Sequence, residues 1–307
     1  MDTQWHVLGA GAMGCLFASA LHRAGLITTV LTKEQHTGLS IHPTTTLAIE
    51  DQSSCHESTL PTSNNGYHGY ISHLLVTTKA YDVRSALAQV AHRLDPDSHI
   101  LLLINGLGFL EELQADHPSL QFVCAITTEG AYRIDRRHIF HAGRGLTRLG
   151  QPGLQQSPPW FEEWSHIALA STWESDIETA LWQKLAINCA INPLTALHRC
   201  PNGDLINQPG LAEELSQLVT EISRISVANG FSDIAATLAE KVRDVISGTS
   251  SNQSSMLQDI LAGRRTEIDY LSGHLLARAK LLNIEAPLTT NLVAKIKKLD
   301  GSITCNS

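Results

Sequence analysis

Residues 5–24 read WHVLGAGAMGCLFASALHRA, and their pattern decides the fold of the first half of the chain. Trp5–Leu8 is a short apolar run with the length of a buried strand. Gly9-Ala10-Gly11-Ala12-Met13-Gly14 follows it, and helical spacing of apolar residues then continues from Met13 to Ala24. A strand, a GxGxxG turn and a helix in that order are the opening of a βαβ unit that binds a dinucleotide. Gly9 permits the tight turn, Gly11 lets the backbone approach a pyrophosphate, and Gly14 lets helix and strand pack closely. The amides at the helix N-terminus are donors for that anion. A purely structural turn is the other reading, and the βαβ context favours binding. An apolar N-terminal stretch also raises a signal peptide, but acidic Asp2 stands where a basic segment belongs.

Outward from this stretch, strand and helix patterns alternate. Thr28–Leu31 reads as a second strand, and residues 44–70 as short antiparallel strands and loops. Leu74–Thr78 and Ile100–Ile104 are unbroken apolar runs, as expected of parallel strands buried on both faces. Val83–Leu94 between them has helical spacing. Val123–Thr128 and two runs around His138–Leu149 are further strands, the last two joined at Gly143–Gly145 as a hairpin. Gln151–Pro159 is a loop, and Ile167–Ser171 one more strand. From Asp176 the periodicity is helical nearly to the end. The expected architecture is an α/β, Rossmann-like, doubly wound domain over residues 1–173, followed by an all-α domain over 174–307.

Composition narrows the function classes. The 307 residues carry 22 Lys+Arg against 30 Asp+Glu, a net charge of −8, which argues against a nucleic-acid partner. No apolar run is long enough to span a membrane. Six cysteines without CxxC spacing read as reduced thiols of a cytoplasmic protein. Fifteen histidines form no HExxH or Cys/His motif, so no metal is expected; His138 and His141 read as surface or structural residues flanking a strand. Lysine is scarce: the first 240 residues hold only Lys33, Lys79 and Lys184.

Lys33 closes the second strand, in Val30-Leu31-Thr32-Lys33-Glu34. A cation there suits the 2′-phosphate of NADP, whereas Glu34 would suit the free ribose of NAD; the lysine favours NADP. Lys184 lies in Ile177–Leu197, IETALWQKLAINCAINPLTAL. On a helical wheel Asn188, Asn192 and Thr195 fall within about 80° of it. One ammonium and two amides in an otherwise apolar helix must meet a ligand or another polar group. A site and a helix–helix hydrogen-bond network both satisfy that requirement. Pro193 is expected to kink this helix after Asn192. Ser254 or Ser255 could cap a helix, and Glu267 could simply be exposed.

Taken together, VLGAGAMG at 7–14, LLVTTKA at 74–80, INGLG at 104–108, LWQKLAINCAINPLTAL at 181–197, CPNG at 200–203, SSMLQD at 254–259 and RRTEIDY at 264–270 resemble the ketopantoate reductase (2-dehydropantoate 2-reductase) family over nearly the whole chain. The resemblance implies a Rossmann domain joined to a helical domain like that of 6-phosphogluconate dehydrogenase. It implies NADPH-dependent reduction of ketopantoate to (R)-pantoate, a step of pantothenate and coenzyme A biosynthesis. Lys184 then matches the general acid and Glu267 a carboxylate near the cofactor ribose and that lysine. Asn188, Asn192 and Asn202 match substrate amides, and Ser255 a serine for the substrate carboxylate. Asn105 matches a contact of both cofactor and substrate. Gly9, Ala10, Gly11, Ala12, Met13, Gly14, Lys79 and Ala131 match cofactor contacts. Lys33 falls where many members carry arginine, a change that weakens the 2′-phosphate contact. Two alternatives stand beside this reading: a reductase of another branched 2-keto acid, and a non-catalytic NADP(H)-sensing protein.

Overall fold

The computed structural model describes residues 3–32, 43–64 and 68–304. Its chain forms two compact units, Met1–Ile104 with Phe109–Ile177, and Asn105–Gly108 with Glu178–Ser307. Among the described residues, no helix is long and apolar enough to cross a membrane.

The first unit is built on one sheet. Its strands are β1 (Gln4–Leu8), β2 (Ile27–Thr32), β3 (Thr44–Glu50), β4 (Cys55–Asn64), β5 (His73–Val76), β6 (His99–Leu103), β7 (Gln121–Thr127), β8 (Gly130–Arg133), β9 (His138–Gly143), β10 (Thr147–Gly150) and β11 (Ser171–Trp173). Their order is β11-β10-β7-β6-β5-β1-β2-β4-β3-β9-β8. Neighbours from β7 through β6, β5, β1 and β2 to β4 pair in parallel. The chain moves from β1 to β2 on one side and later to β5 on the other, so strand order reverses at β1. In doubly wound sheets a ligand binds at the carboxyl ends of the strands at such a reversal.

The helices of this unit are α1 (Ala12–Arg23), α2 (Val83–Val90), α3 (Phe109–Asp116) and α4 (Trp160–Ser165). α4 has no counterpart in the sequence reading. Its two tryptophans complete the core beneath β1: Trp164 lies 5.0 Å from the Trp5 ring and stacks on Phe17 at 5.8 Å.

Two expected strand features are corrected. β9 and β10 do not form a hairpin: β9 pairs with β3 and β8, while β10 pairs with β7 and β11. The glycines between them carry the chain past another segment, because a β-carbon at Gly145 would collide with the Thr128 and Glu129 backbone. The strand expected at Ile167–Ser171 begins only at Ser171. Ile167 and Leu169 alternate inward and are buried, but only Ser171–Trp173 is paired with β10.

The second unit is helical, with α5 (Ile177–His198) leading into α6 (Asp204–Asn207), α7 (Pro209–Ala228), α8 (Ser232–Gly248), α9 (Ser255–Leu261), α10 (Ser272–Leu281) and α11 (Pro287–Thr304). Leu185, Ala186, Leu194, Ile222, Ile225, Leu238, Val242 and Ile246 belong to one buried cluster. Trp182 of α5 stacks on Phe231, ring centres 4.7 Å apart. α5 continues through Pro193 to His198. Downstream of the proline, the Thr195 hydroxyl donates to the Ile191 and Asn192 carbonyls at 3.1 and 3.0 Å.

Candidate active site

The glycine turn of the first unit has the geometry its spacing predicts. Gly9 adopts φ +108°, and a β-carbon there would lie 2.8 Å from the Thr77 and Thr78 backbone. Thr77, just past β5, holds the turn by donating its hydroxyl to the Gly9 carbonyl at 2.6 Å. Gly14 is equally constrained, since a β-carbon would run into the Gly9 carbonyl and the Thr77 hydroxyl. Gly11 differs: the space in front of it is open, with nothing within 4 Å of a β-carbon position. The protein's own packing therefore does not require glycine at 11, whereas the approach of a pyrophosphate does. Gly11 is also the N-cap of α1 and makes no side-chain cap, and the first turn contains no acid. The unpaired amides and this open cradle suit a dinucleotide phosphate.

Lys79 directly follows the Thr77–Thr78 segment that packs against Gly9, and Ala131 lies on the same core as the turn's alanines. Lys79 is half-buried and precedes the short 3-10 turn Ala80–Asp82 after β5. Ala131 lies on β8, and Ala10, Ala12, Met13 and Ala131 all pack against one buried cluster. Two residues further, the Arg133 guanidinium hydrogen-bonds the Ala10 carbonyl within the turn. The sequence reading missed this arginine; its only signal was a cation two positions after Ala131. Lys33 lies outside the described residues.

The second unit carries Lys184 and Glu267, the two residues expected to act in proton transfer. Lys184 is partly buried and Glu267 only 5% exposed, so the expectation that Glu267 could be solvated is corrected. Desolvation lowers the Lys184 pKa to about 8, and the charge of Glu267 partly opposes that fall. A lysine in this range is a competent proton donor near neutral pH. Glu267 is held by its surroundings. Its carbonyl accepts from the Tyr270 and Leu271 amides at 3.0 and 3.1 Å. The preceding Thr266 is pinned to α11, its hydroxyl donating to Asp300 at 2.8 Å.

The loop carrying Asn105 belongs to this helical unit. Leu107 donates its amide to the Tyr270 carbonyl at 2.9 Å. Gly106 and Gly108 both have positive φ, and β-carbons there would strike the Tyr270 backbone and the His274 ring respectively. Asn105 is thereby fixed beside the segment that carries Glu267. The paired glycines of INGLG were the available signal for this docking.

The polar stripe of α5 divides into two roles. Thr195 is fully buried and shares a 2.7 Å hydrogen bond with the Ser254 hydroxyl. Ser254 is the N-cap of α9, accepting from the Leu257 amide at 3.1 Å. These two residues form the structural network and fix the start of α9 against α5; such a cap contributes about 1 kcal/mol. Ser255, the next residue, is exposed. Asn188 is half-buried and Asn192 buried on α5. Asn202 is buried, donating its amide to the Thr249 hydroxyl at 2.9 Å. Its Oδ1 is buried without a hydrogen-bond partner among the described residues. Leaving such an acceptor unpaired costs about 1–3 kcal/mol, which a ligand hydroxyl would relieve.

A family model described as Ketopantoate reductase PanE/ApbA matches residues 5–153. Ketopantoate reductase PanE/ApbA C terminal matches residues 176–300. The 2-dehydropantoate 2-reductase of Vibrio cholerae serotype O1 is 33% identical over 300 residues, covering 96% of this chain and 97% of that protein. The 2-dehydropantoate 2-reductase of Shigella flexneri is 36% identical over 302 residues, covering 96% of this chain and 94% of that protein. Among solved structures, a D-mandelate dehydrogenase in ternary complex with NADH and anilino(oxo)acetate aligns over 98% of this chain and 100% of its own, with TM-score 0.87. At 19% identity that likeness is one of fold.

Proposed function

This chain belongs to the ketopantoate reductase family, and from that premise we propose a residue-level account of its reaction. It is an oxidoreductase that reduces 2-dehydropantoate to (R)-pantoate, a step of pantothenate biosynthesis. Residues 1–173 serve as the cofactor domain, and 174–307 as the substrate-binding and catalytic domain. The observation that carries the account is the partly buried Lys184 with its pKa near 8, under the influence of the buried Glu267 carboxylate.

Bound nicotinamide dinucleotide supplies the hydride that adds to C2 of the keto acid. Gly9, Ala10, Gly11, Ala12, Met13 and Gly14 present the turn and helix amides to its pyrophosphate. Lys79, Ala131 and Asn105 complete the cofactor contacts, and Glu267 also reaches its ribose. NADPH is the preferred donor, with Lys33 opposite the 2′-phosphate; a lysine provides a point charge there without arginine's planar fork.

Lys184 donates its proton to the ketone oxygen as the carbonyl π pair moves onto it, forming the new O–H bond. Neutral lysine remains and recovers a proton from solvent. Before transfer, the ammonium also stabilises the negative charge developing on that oxygen. Asn188 and Asn192 orient the substrate without adding charge. Asn202 receives the substrate hydroxyl on its unpaired Oδ1, and Ser255 holds the carboxylate.

The test is kcat/KM for 2-dehydropantoate against 2-ketoisovalerate, which lacks the hydroxyl, each with NADPH and NADH. A site with a buried acceptor for that hydroxyl favours 2-dehydropantoate by at least about a hundredfold. NADPH should be the better donor. Equal efficiency on both acids would instead assign the chain to general reduction of branched 2-keto acids.

Arg133 gives a separate expectation. Its cation sits on the turn that would face the pyrophosphate, where a charge-assisted contact strengthens binding. Arg133→Ala should raise KM for NADPH about tenfold and leave kcat within about twofold, the split expected for loss of uniform binding. An unchanged KM alongside a lower melting temperature would make the arginine a structural brace only.

A further inference from the structure

The β4-β3-β9 part of the sheet carries three side chains of different ligand chemistry that converge on its outer face. Glu50 and Cys55 are direct cross-strand partners at the two ends of the tight turn between β3 and β4. His138 on β9 stands opposite Ala48, one same-face step along β3 from Glu50. A Glu50 oxygen, the Cys55 sulfur and a His138 ring nitrogen all lie within 4.8 Å of one another. His138 Nε2 is 2.7 Å from Glu50 Oε2. The two groups are in close contact, but that contact does not meet hydrogen-bond geometry, so the ring nitrogen is not committed to a directed bond with the carboxylate. A simple ion pair would align the ring N–H with the carboxylate, and it would leave the nearby thiol without a role.

We propose that Glu50, Cys55 and His138 form a three-ligand site for a divalent cation of the zinc class. Thiolate, imidazole and carboxylate together suit zinc, whereas calcium and magnesium take oxygen ligands. The ligands are supplied by paired strands rather than by a loop. The connecting turn is itself fixed: Asp51 accepts from the Ser53 and Ser54 amides, each at 2.8 Å, and from Arg144 at 3.2 Å. Asp51 is thus committed to the turn. Ala48 is small and lies between Glu57 on β4 and His138 on β9, partner to both. Its methyl leaves room for a fourth ligand, which is water or the exposed Glu57 carboxylate on the same face. Rotamer adjustment brings the ligand atoms to the roughly 2.0–2.3 Å bonds that zinc requires. Binding deprotonates Cys55, ties the β3–β4 hairpin to β9, and stabilises the folded chain by mass action. The ligand strands β4, β3 and β9 stand two, three and four places from β1 in the sheet order, and Glu50 and His138 alternate with Ile49 and Ile139, which face the buried core.

The experiment uses the full-length, tag-free protein, stripped with chelator and titrated with Co²⁺ as a chromophoric probe. One equivalent should bind with a thiolate-to-cobalt charge-transfer band that Zn²⁺ displaces. Cys55→Ser should abolish the band, and His138→Gln or Glu50→Gln should weaken binding at least tenfold. All three variants should keep the melting temperature of the metal-free parent to within a few degrees and keep their keto-acid reductase activity. Absence of the band in the parent protein overturns the proposal, and so does a band that survives in Cys55→Ser.

Discussion

Lys184→Ala should lower kcat for 2-dehydropantoate about a thousandfold, within the range of general acid and oxyanion stabilisation together. That is roughly 4 kcal/mol of transition-state stabilisation. The expectation follows from where Lys184 sits. A desolvated ammonium with pKa near 8 gives up its proton more readily than a solvated one, and low surrounding polarity strengthens its effect on a developing alkoxide. NADPH affinity, measured by direct titration, should change less than about threefold, because the turn at Gly9–Gly14 lies in the other unit. Turnover within tenfold of the parent would remove Lys184 from the proton-transfer step.

Glu267→Gln is the second large effect, and its direction comes from the charge balance at Lys184. Burial pushes the lysine pKa down while Glu267 pushes it up. Removing the carboxylate charge should therefore move the pKa below 8 by about one further unit. The acid must be protonated to act, so kcat/KM of the parent should fall as pH rises through about 8. In Glu267→Gln the same falling limb should appear at lower pH, and the rate at pH 8 should drop about fivefold. A profile whose limb stays in place, with only its height reduced, would show that Glu267 acts on the cofactor ribose alone.

The elements that sequence shows clearly are those whose side chains meet the protein's own backbone. Gly9 and Gly14 are demanded by the close packing of β1, α1 and Thr77, and their spacing records that demand. β5 and β6 are legible because burial on both faces leaves no polar alternation. Pairing is harder to see. The runs that became β9 and β10 look like a hairpin, yet each takes partners that local spacing does not specify. Ile167 and Leu169 alternate as a strand does, but that pattern reports burial and carries no information on hydrogen bonding. α4 is too short for a helical period to emerge, although Trp160 and Trp164 are both core residues.

The candidate site shows the same division. Lys184, Asn188 and Asn192 stand out as a stripe because they interrupt an apolar helix. Thr195 shares their face but serves the cap of α9, a contact that only the fold reveals. Glu267 is remote in sequence from Lys184, and nothing in its neighbours announces its burial. Arg133 and the Glu50–Cys55–His138 cluster were invisible for a related reason. Their groups come from separate strands, or from a strand and a turn, so no short motif contains them.

The central claim is that this chain carries hydride from a nicotinamide dinucleotide to 2-dehydropantoate with Lys184 as the acid. It is tested most directly by mixing the protein with NADPH and 2-dehydropantoate near pH 7 and following the reduced-nicotinamide absorbance. The account predicts steady loss of that absorbance, one pantoate formed per NADPH consumed, and near-complete loss of the rate in Lys184→Ala. No absorbance change with folded, NADPH-binding protein, or an equal rate in the alanine variant, would contradict it.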